Sequence, residues 1–301
     1  MGSITRPHYS DLCDCHECTT KLITTLITKD HDWMRQHRSP KQLPYDFRLW
    51  SAKSAMLNGG IFLPTVFNPD LFSEPGMYRR TTPQALFPEQ SWTFHSFPGF
   101  RPYRYTLSMP RAVGPRQAIK IPLIYTDGAC SIDDKSTVKA GIGFSVCQPG
   151  RSLKGCVRHS LEREGPYGQV FPHTSERAEL RAVIAALEWR YWYREGWEAI
   201  VVATNSTYVV DGATNCVKGW LDNDWWTADG FKVENRDLWK YLLQLLRLYG
   251  MHGCEVMLWR IESMYNGRAD QLAKTAIADG LVQEKWKTFK DPQLKDSWFD
   301  I

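Results

Sequence analysis

Asp127, Glu179 and Asp270 are carboxylates that the surrounding pattern places at the ends of buried elements, and Asn205 stands in a matching position. Asp127 closes a run of β-forming apolar residues, Ile121, Leu123, Ile124 and Tyr125, and Gly128 beside it lets other groups come close. Glu179 falls one turn inside a helix that Thr174 or Ser175 can cap. Asn205 follows the largely apolar run 199–204 directly, and Asp270 lies in the first turn of a last helix, where the macrodipole favours a negative charge. Taken alone, an Asp-Gly pair after a strand is an ordinary turn. The four positions together suggest more. Mg²⁺ prefers oxygen ligands and keeps several waters. Two such ions about 4 Å apart activate a water and stabilise the leaving oxygen in phosphodiester cleavage.

Two other groupings carry chemistry. Cys13, Cys15, His16 and Cys18 could form half of a zinc site, which His8, His31 or His37 could complete. No second Cys-x-x-Cys follows, so free cysteines are the alternative reading. Between Gln90 and Thr126 there is no acidic residue, and Arg101, Arg104, Arg111, Arg116 and Lys120 alternate with Trp92, Phe94, Phe97, Phe100, Tyr103 and Tyr105. That composition suits a nucleic-acid groove, with Arg101 and Arg104 as contacts, or equally a linker strapped by its aromatics onto the next domain.

The elements that must position these groups can be read from the pattern. Strands are expected at 121–130, 140–148, within 156–163, at 199–204 and at 255–261. Helices are expected from Thr174 or Ser175 to about 193, over 206–220, over 236–248 and from about 266. The first helix buries Ala178, Val183, Ile184, Ala186 and Leu187; the third turns Leu238, Trp239, Leu242, Leu245 and Leu246 inward. The order β-β-β-α-β-α-α-β-α describes an α/β domain, a mixed five-stranded sheet flanked by helices, over 116–280. An irregular N-terminal extension, 1–115, precedes it. Leu22, Ile23, Leu26 and Ile27 make one short amphipathic helix there, and nine of the 17 prolines fall between Pro64 and Pro115. A tail, 281–301, carries Trp286, Phe289, Trp298 and Phe299 and is expected to pack back on the body.

Composition bounds the class. Apolar and charged fractions of 43% and 23% are those of a globular protein. No run approaches the length of a membrane span and the start lacks the apolar core of a signal peptide, so cytosol or nucleus is expected, with reduced thiols. Residues 1–120 carry 15 Lys/Arg against 9 Asp/Glu, and residues 121–301 carry 22 against 24. The basic excess lies in the N-terminal part, which permits nucleic-acid binding.

The motifs resemble those of type 1 ribonuclease H. Thr126-Asp127-Gly128-Ala129-Cys130 resembles the first motif, Glu179-Leu180 the second, Thr204-Asn205-Ser206 the third, and Asn266 with Ala269-Asp270 and Leu272-Ala273 the fourth. Trp220, Trp225, Thr227-Ala228-Asp229, Val233, Asn235 and Asp237-Leu238-Trp239 keep the register of the bacterial enzymes, and Leu258-Trp259-Arg260-Ile261 is similar to fungal members. The resemblance covers about 119–280. It implies hydrolysis of the RNA strand of an RNA–DNA hybrid with two Mg²⁺ ions, or Mn²⁺ in their place, at Asp127, Glu179, Asp270 and the position of Asn205. It also implies a DNA-phosphate contact at Thr174 and a minor-groove contact at Ser175; Gly128, by residue type, is expected to let substrate come close, and a monomer is expected.

Four departures stand out. Asn205 replaces an aspartate. The loop between Trp259 and Asn266 lacks the histidine of many members, leaving Glu262 as a candidate ligand or base. The basic handle of the bacterial enzymes is here Leu221-Asp222-Asn223-Asp224-Trp225-Trp226, and Asp133 takes the place of a phosphate-contacting asparagine. Two functions follow: a metal-dependent ribonuclease of reduced activity, or a catalytically degenerate domain that binds nucleic acid or protein.

Overall fold

The computed structural model describes residues 61–69, 82–87, 107–108, 118–119, 121–132, 136–146, 155–194, 197 and 199–290. Cys13, Cys15, His16, Cys18, the expected helix around Leu22, Arg101, Arg104, Asp133, Trp298 and Phe299 lie outside these residues. The strands are β1 (Thr65–Val66), β2 (Leu107–Ser108), β3 (Ala118–Ile119), β4 (Leu123–Ile132), β5 (Val138–Ser145), β6 (Cys156–Ser160), β7 (Ala199–Thr204) and β8 (Glu255–Arg260). β2 and β3 form a separate antiparallel pair; the other six make one sheet in the order β1-β8-β7-β4-β5-β6. The β4-β5-β6 half is antiparallel, and β4, β7, β8 and β1 run parallel.

The helices are α1 (Pro83–Leu86), α2 (Ser175–Glu188), α3 (Thr207–Asp211), α4 (Val217–Asp222), α5 (Arg236–Met251) and α6 (Gly267–Ala278). Thr174 caps α2, its hydroxyl accepting from the Arg177 N–H at 3.1 Å. The single helix expected over 206–220 is instead α3, a π-helical stretch Gly212–Cys216, and α4. The extra residue in that turn falls where Gly212 lies against the Trp239 ring. In α5, Leu238, Trp239, Leu242 and Leu246 are buried as expected, while Leu245 is only half-buried.

The expected strand count of five is corrected to six. β1 comes from the proline-rich stretch and adds to the outer edge of β8, pairing Thr65 with Met257 and Val66 with Leu258. A Pro-rich run hides so short a strand from pattern reading. Phe67 and Phe87, each 2% exposed, pack beside it against the Trp259 ring. Phe62 lies on Gly250, where any side chain would overlap its ring. The tail packs back as far as it is described. Phe289 is buried, and with Trp286 it sandwiches the guanidinium of Arg181. Arg181 is itself paired with Glu162 at 2.9 Å and Glu188 at 3.1 Å. Among the described residues no helix is long and apolar enough to cross a membrane.

Glu255 reports on the strap. Thr65 Oγ1 donates to its Oε1 at 2.5 Å. Burial pushes the Glu255 carboxyl up from 4.5 to about 7, and the bond from Thr65 pulls the other way. The folded chain therefore holds this proton more tightly than the unfolded chain. Its contribution to stability is full below pH 4.5, falls as pH rises toward about 7, and is lost above. Glu255→Gln should abolish this part of the pH dependence, on the order of 1–3 kcal/mol, in urea unfolding at pH 5 and pH 8.

Candidate active site

β4 changes partners part-way along its length. It pairs with β7 only as far as Tyr125 with Ala203, while its pairing with β5 continues to Ile132. Asp127 was expected at a strand end. It sits mid-strand instead, just beyond the end of its parallel neighbour, because β4 runs on as a hairpin with β5. The open notch at such a switch point is where ligands bind in α/β sheets.

Two glycines bring helices to that notch. A Cβ on Gly128 would overlap the backbone of Ala178 and the Glu179 nitrogen, so α2 rests on bare backbone there. Asp127 is paired with Gly143, and a Cβ at 143 would lie 2.5 Å from the Ala269 carbonyl oxygen, next to Asp270. Asp127, on β4, thus meets Glu179 on α2 and Asp270 on α6. Asp127 is 7% exposed. Its carboxyl is pushed up to about 7, chiefly by burial; the Gly128 N–H at 2.9 Å opposes this, and the negative charges of Asp270 and Glu179 add to it. Burial likewise raises Glu179.

Each oxygen donor already has a protein partner. Glu179 Oε2 accepts from the Ser206 hydroxyl at 2.5 Å. Asp270 pairs with Lys274 at 2.8 Å. Asn205 Oδ1 accepts from Asn266 Nδ2 at 2.7 Å, and its Nδ2 donates to Ser263 Oγ at 3.3 Å. Asn266 also donates to the Thr126 carbonyl at 2.9 Å, which ties the fourth motif to the first. The donor chemistry, three carboxylates and an amide oxygen, suits a hard dication. In this arrangement no three His, Cys, Asp or Glu side chains among the described residues are gathered closely enough to hold an ion. Lys274 occupies both oxygens of Asp270, whereas Ser206 engages only one oxygen of Glu179.

The remaining expected residues fall as follows. Thr174 is engaged as the cap of α2, and Ser175 is exposed beside it. Glu262 is exposed at the head of a 3-10 turn, Ser263–Tyr265, and the largest charge effects on Asp127 come from Asp270, Glu179 and Lys274. In the altered handle, Asp224 and Trp225 both adopt left-handed φ, 47° and 64°, which turns Trp225 inward and leaves Trp226 41% exposed. Ser206, Asn266, Ser263 and Lys274 were not singled out as site residues from the sequence. Lys274 alone had a local signal, its i+4 spacing from Asp270. A buried clamp fixes the start of α2: Arg177 forks onto Asp237 at 3.0 and 2.7 Å and reaches Asn235 Oδ1 at 3.3 Å.

The RNase H family matches residues 120–278. The chain belongs to the ribonuclease H family. Ribonuclease H of Zymomonas mobilis is 34% identical over 171 residues, which cover 55% of this chain and 94% of the relative. Ribonuclease H of Chlorobium phaeobacteroides is 35% identical over 155 residues, covering 51% and 93%. Among solved structures, the PFV RNase H domain aligns with 21% identity and a TM-score of 0.36, covering 52% of this chain and 93% of that domain. In this ribonuclease H family member the second, third and fourth motifs come to the first through Gly128, Asn266 and Gly143.

The glycine contact is testable. Gly128→Ala should lift α2 from the sheet and destabilise the protein by about 1–3 kcal/mol or more. Gly219→Ala, in α4 with open space around it, should instead stabilise by up to about 1 kcal/mol. Urea unfolding of both variants checks the opposite signs.

Proposed function

We propose that this chain is a ribonuclease H that hydrolyses the RNA strand of RNA–DNA hybrids. The observation that carries the reading is the charge convergence in the notch: a buried Asp127 mid-strand, with Glu179 and Asp270 both acting on it. Asp127, Glu179 and Asp270, with Asn205 Oδ1, would hold divalent ions, which supply the positive charge that activates a water and stabilises the leaving oxygen. Ser206 and Asn266 fix the orientations of Glu179 and Asn205. The capped start of α2, with Thr174 and Ser175, lies one turn from Glu179 and offers helix N–H groups to the nucleic-acid backbone. Recognition of the ribose 2′-OH separates RNA from DNA in such sites.

Asn205 contributes an oxygen but no charge, so ions sharing the site are less well neutralised and activity in Mg²⁺ is low. The degenerate binding module is the second reading. It is favoured by one observation: both ends of the Asn205 amide are occupied by protein partners. Cleavage of a labelled hybrid separates the two. Asn205→Asp should raise activity in Mg²⁺ by about one order of magnitude or more, as expected for one charged group acting on the transition state. Mn²⁺ should partly rescue the wild type, and Asp127→Asn should be inactive with either metal. Hybrid binding without cleavage by both wild type and Asn205→Asp sinks the enzyme reading and leaves the binding module.

The basic stretch that precedes the domain is assigned the contact that the acidified handle has lost. Replacing Arg101 and Arg104 by Gln should weaken hybrid binding across sequences and reduce the salt slope by about 1 per lost phosphate contact. Titrations at several salt concentrations measure it.

A further inference from the structure

We propose that Lys274 is a resident counter-cation of the site and sets the metal concentration at which the site fills. The inference rests on the metal-dependent reading above. Lys274 lies one turn after Asp270 on α6, and its Nζ is 2.8 Å from both Asp270 Oδ1 and Oδ2. Both oxygens that Asp270 has to offer an ion are therefore engaged by an ammonium. The same charge acts on Asp127. Three carboxyl groups and one ammonium stand in the notch, and Asn205 adds no charge.

The pair is not a lock. Its side chains are 67% and 39% exposed, and exposed pairs of this kind are weak. A divalent ion can displace the ammonium from Asp270. The repulsion does not go with it, because Lys274 stays tethered to the same helix turn. Coulomb energy scales with the product of the charges, so a dication at Asp270 meets twice the repulsion that a monovalent ion would. Ser206, the partner of Glu179, is neutral and imposes no such penalty. Among the protein partners of the site oxygens, Lys274 alone carries a full positive charge, and it adds to the shortfall left by Asn205. Both features act in one direction, toward a site that fills with fewer ions or at higher metal concentration.

The test is calorimetric titration of the full chain with MnCl₂ alone, without nucleic acid, for wild type, Lys274→Gln and Lys274→Arg. Removing the charge should tighten Mn²⁺ binding roughly tenfold, the size expected for a charge about 5 Å from a dication in water-like surroundings. Lys274→Arg should stay near wild type, because charge rather than shape is at issue. The pair is exposed, so melting temperatures should agree, and circular dichroism checks that all three fold. Equal Mn²⁺ affinity in wild type and Lys274→Gln overturns the proposal, as does equal weakening in both variants or an absence of binding in all three. Tightening in Lys274→Gln with no cleavage by any form keeps this role and removes the nuclease reading. Cleavage with no change in affinity does the reverse.

Discussion

Helices α2 and α6 touch the middle of the sheet at backbone distance, and that closeness depends on positions 128 and 143 having no Cβ. A methyl group at either would overlap helix backbone, which cannot rotate away as a side chain can. Gly141 extends the same bare strip along β5, against the Ala273 carbonyl. Everything in the notch follows from this. Asp127 sits between the two contacts, so a helix pressed onto each side of its strand pair brings one further carboxylate near it. The cost is visible in the same residue. Asp127 loses water on burial, and its proton affinity rises accordingly. A site of like charges held together by packing stores unfavourable electrostatics that a bound cation relieves.

The packing is in turn held in register by buried ion groups. Arg177 with Asp237 joins the starts of α2 and α5. Arg181, fully buried, joins α2 to Glu162 after β6 and to the tail, donating to the Lys287 carbonyl as well. Such groups add little net stability compared with apolar packing of the same volume, but removing one partner leaves a charge stranded, at about 3–5 kcal/mol. Both arginines lie on the helix that carries Glu179. The helix is thus fixed along its length as well as pressed against Gly128, and the tail becomes part of the domain by supplying the faces between which Arg181 lies.

Much of this was legible in the sequence where the cause was local. The strand 199–204 is apolar at its first five positions and buried at all six because both of its faces are covered, and its bounds match those observed. Residue type narrows the cap of α2 to Thr174 or Ser175, and Thr174 is the one used. The four motif positions were readable only through their resemblance to the family's motifs, since each alone is an ordinary turn or helix residue. What was not legible depends on partners far away in the chain. Asp127 looks like a strand end until the length of β7 is known. The hydrogen bond from Asn266 to the Thr126 carbonyl spans 140 residues. Ser206 caps α3, and nothing in its sequence neighbourhood shows that its hydroxyl turns to Glu179. β1 is two residues long in a Pro-rich run, so neither periodicity nor length could reveal it.

That short strand has a consequence for the order in which the chain assembles. Thr65 meets Glu255 across 190 residues. Loop closure over such a span is entropically costly and comes back only when the distant contact forms. During synthesis the segment carrying Phe67 and Phe87 leaves the ribosome before its receptor, the outer edge of β8, has been translated. An apolar segment must wait while the rest of the sheet is built, and for that interval it is open to chaperones and to pairing with other chains. When β8 finally emerges, its bare edge offers the same hazard from the other side. The segment of β1 is made long before the strand that receives it.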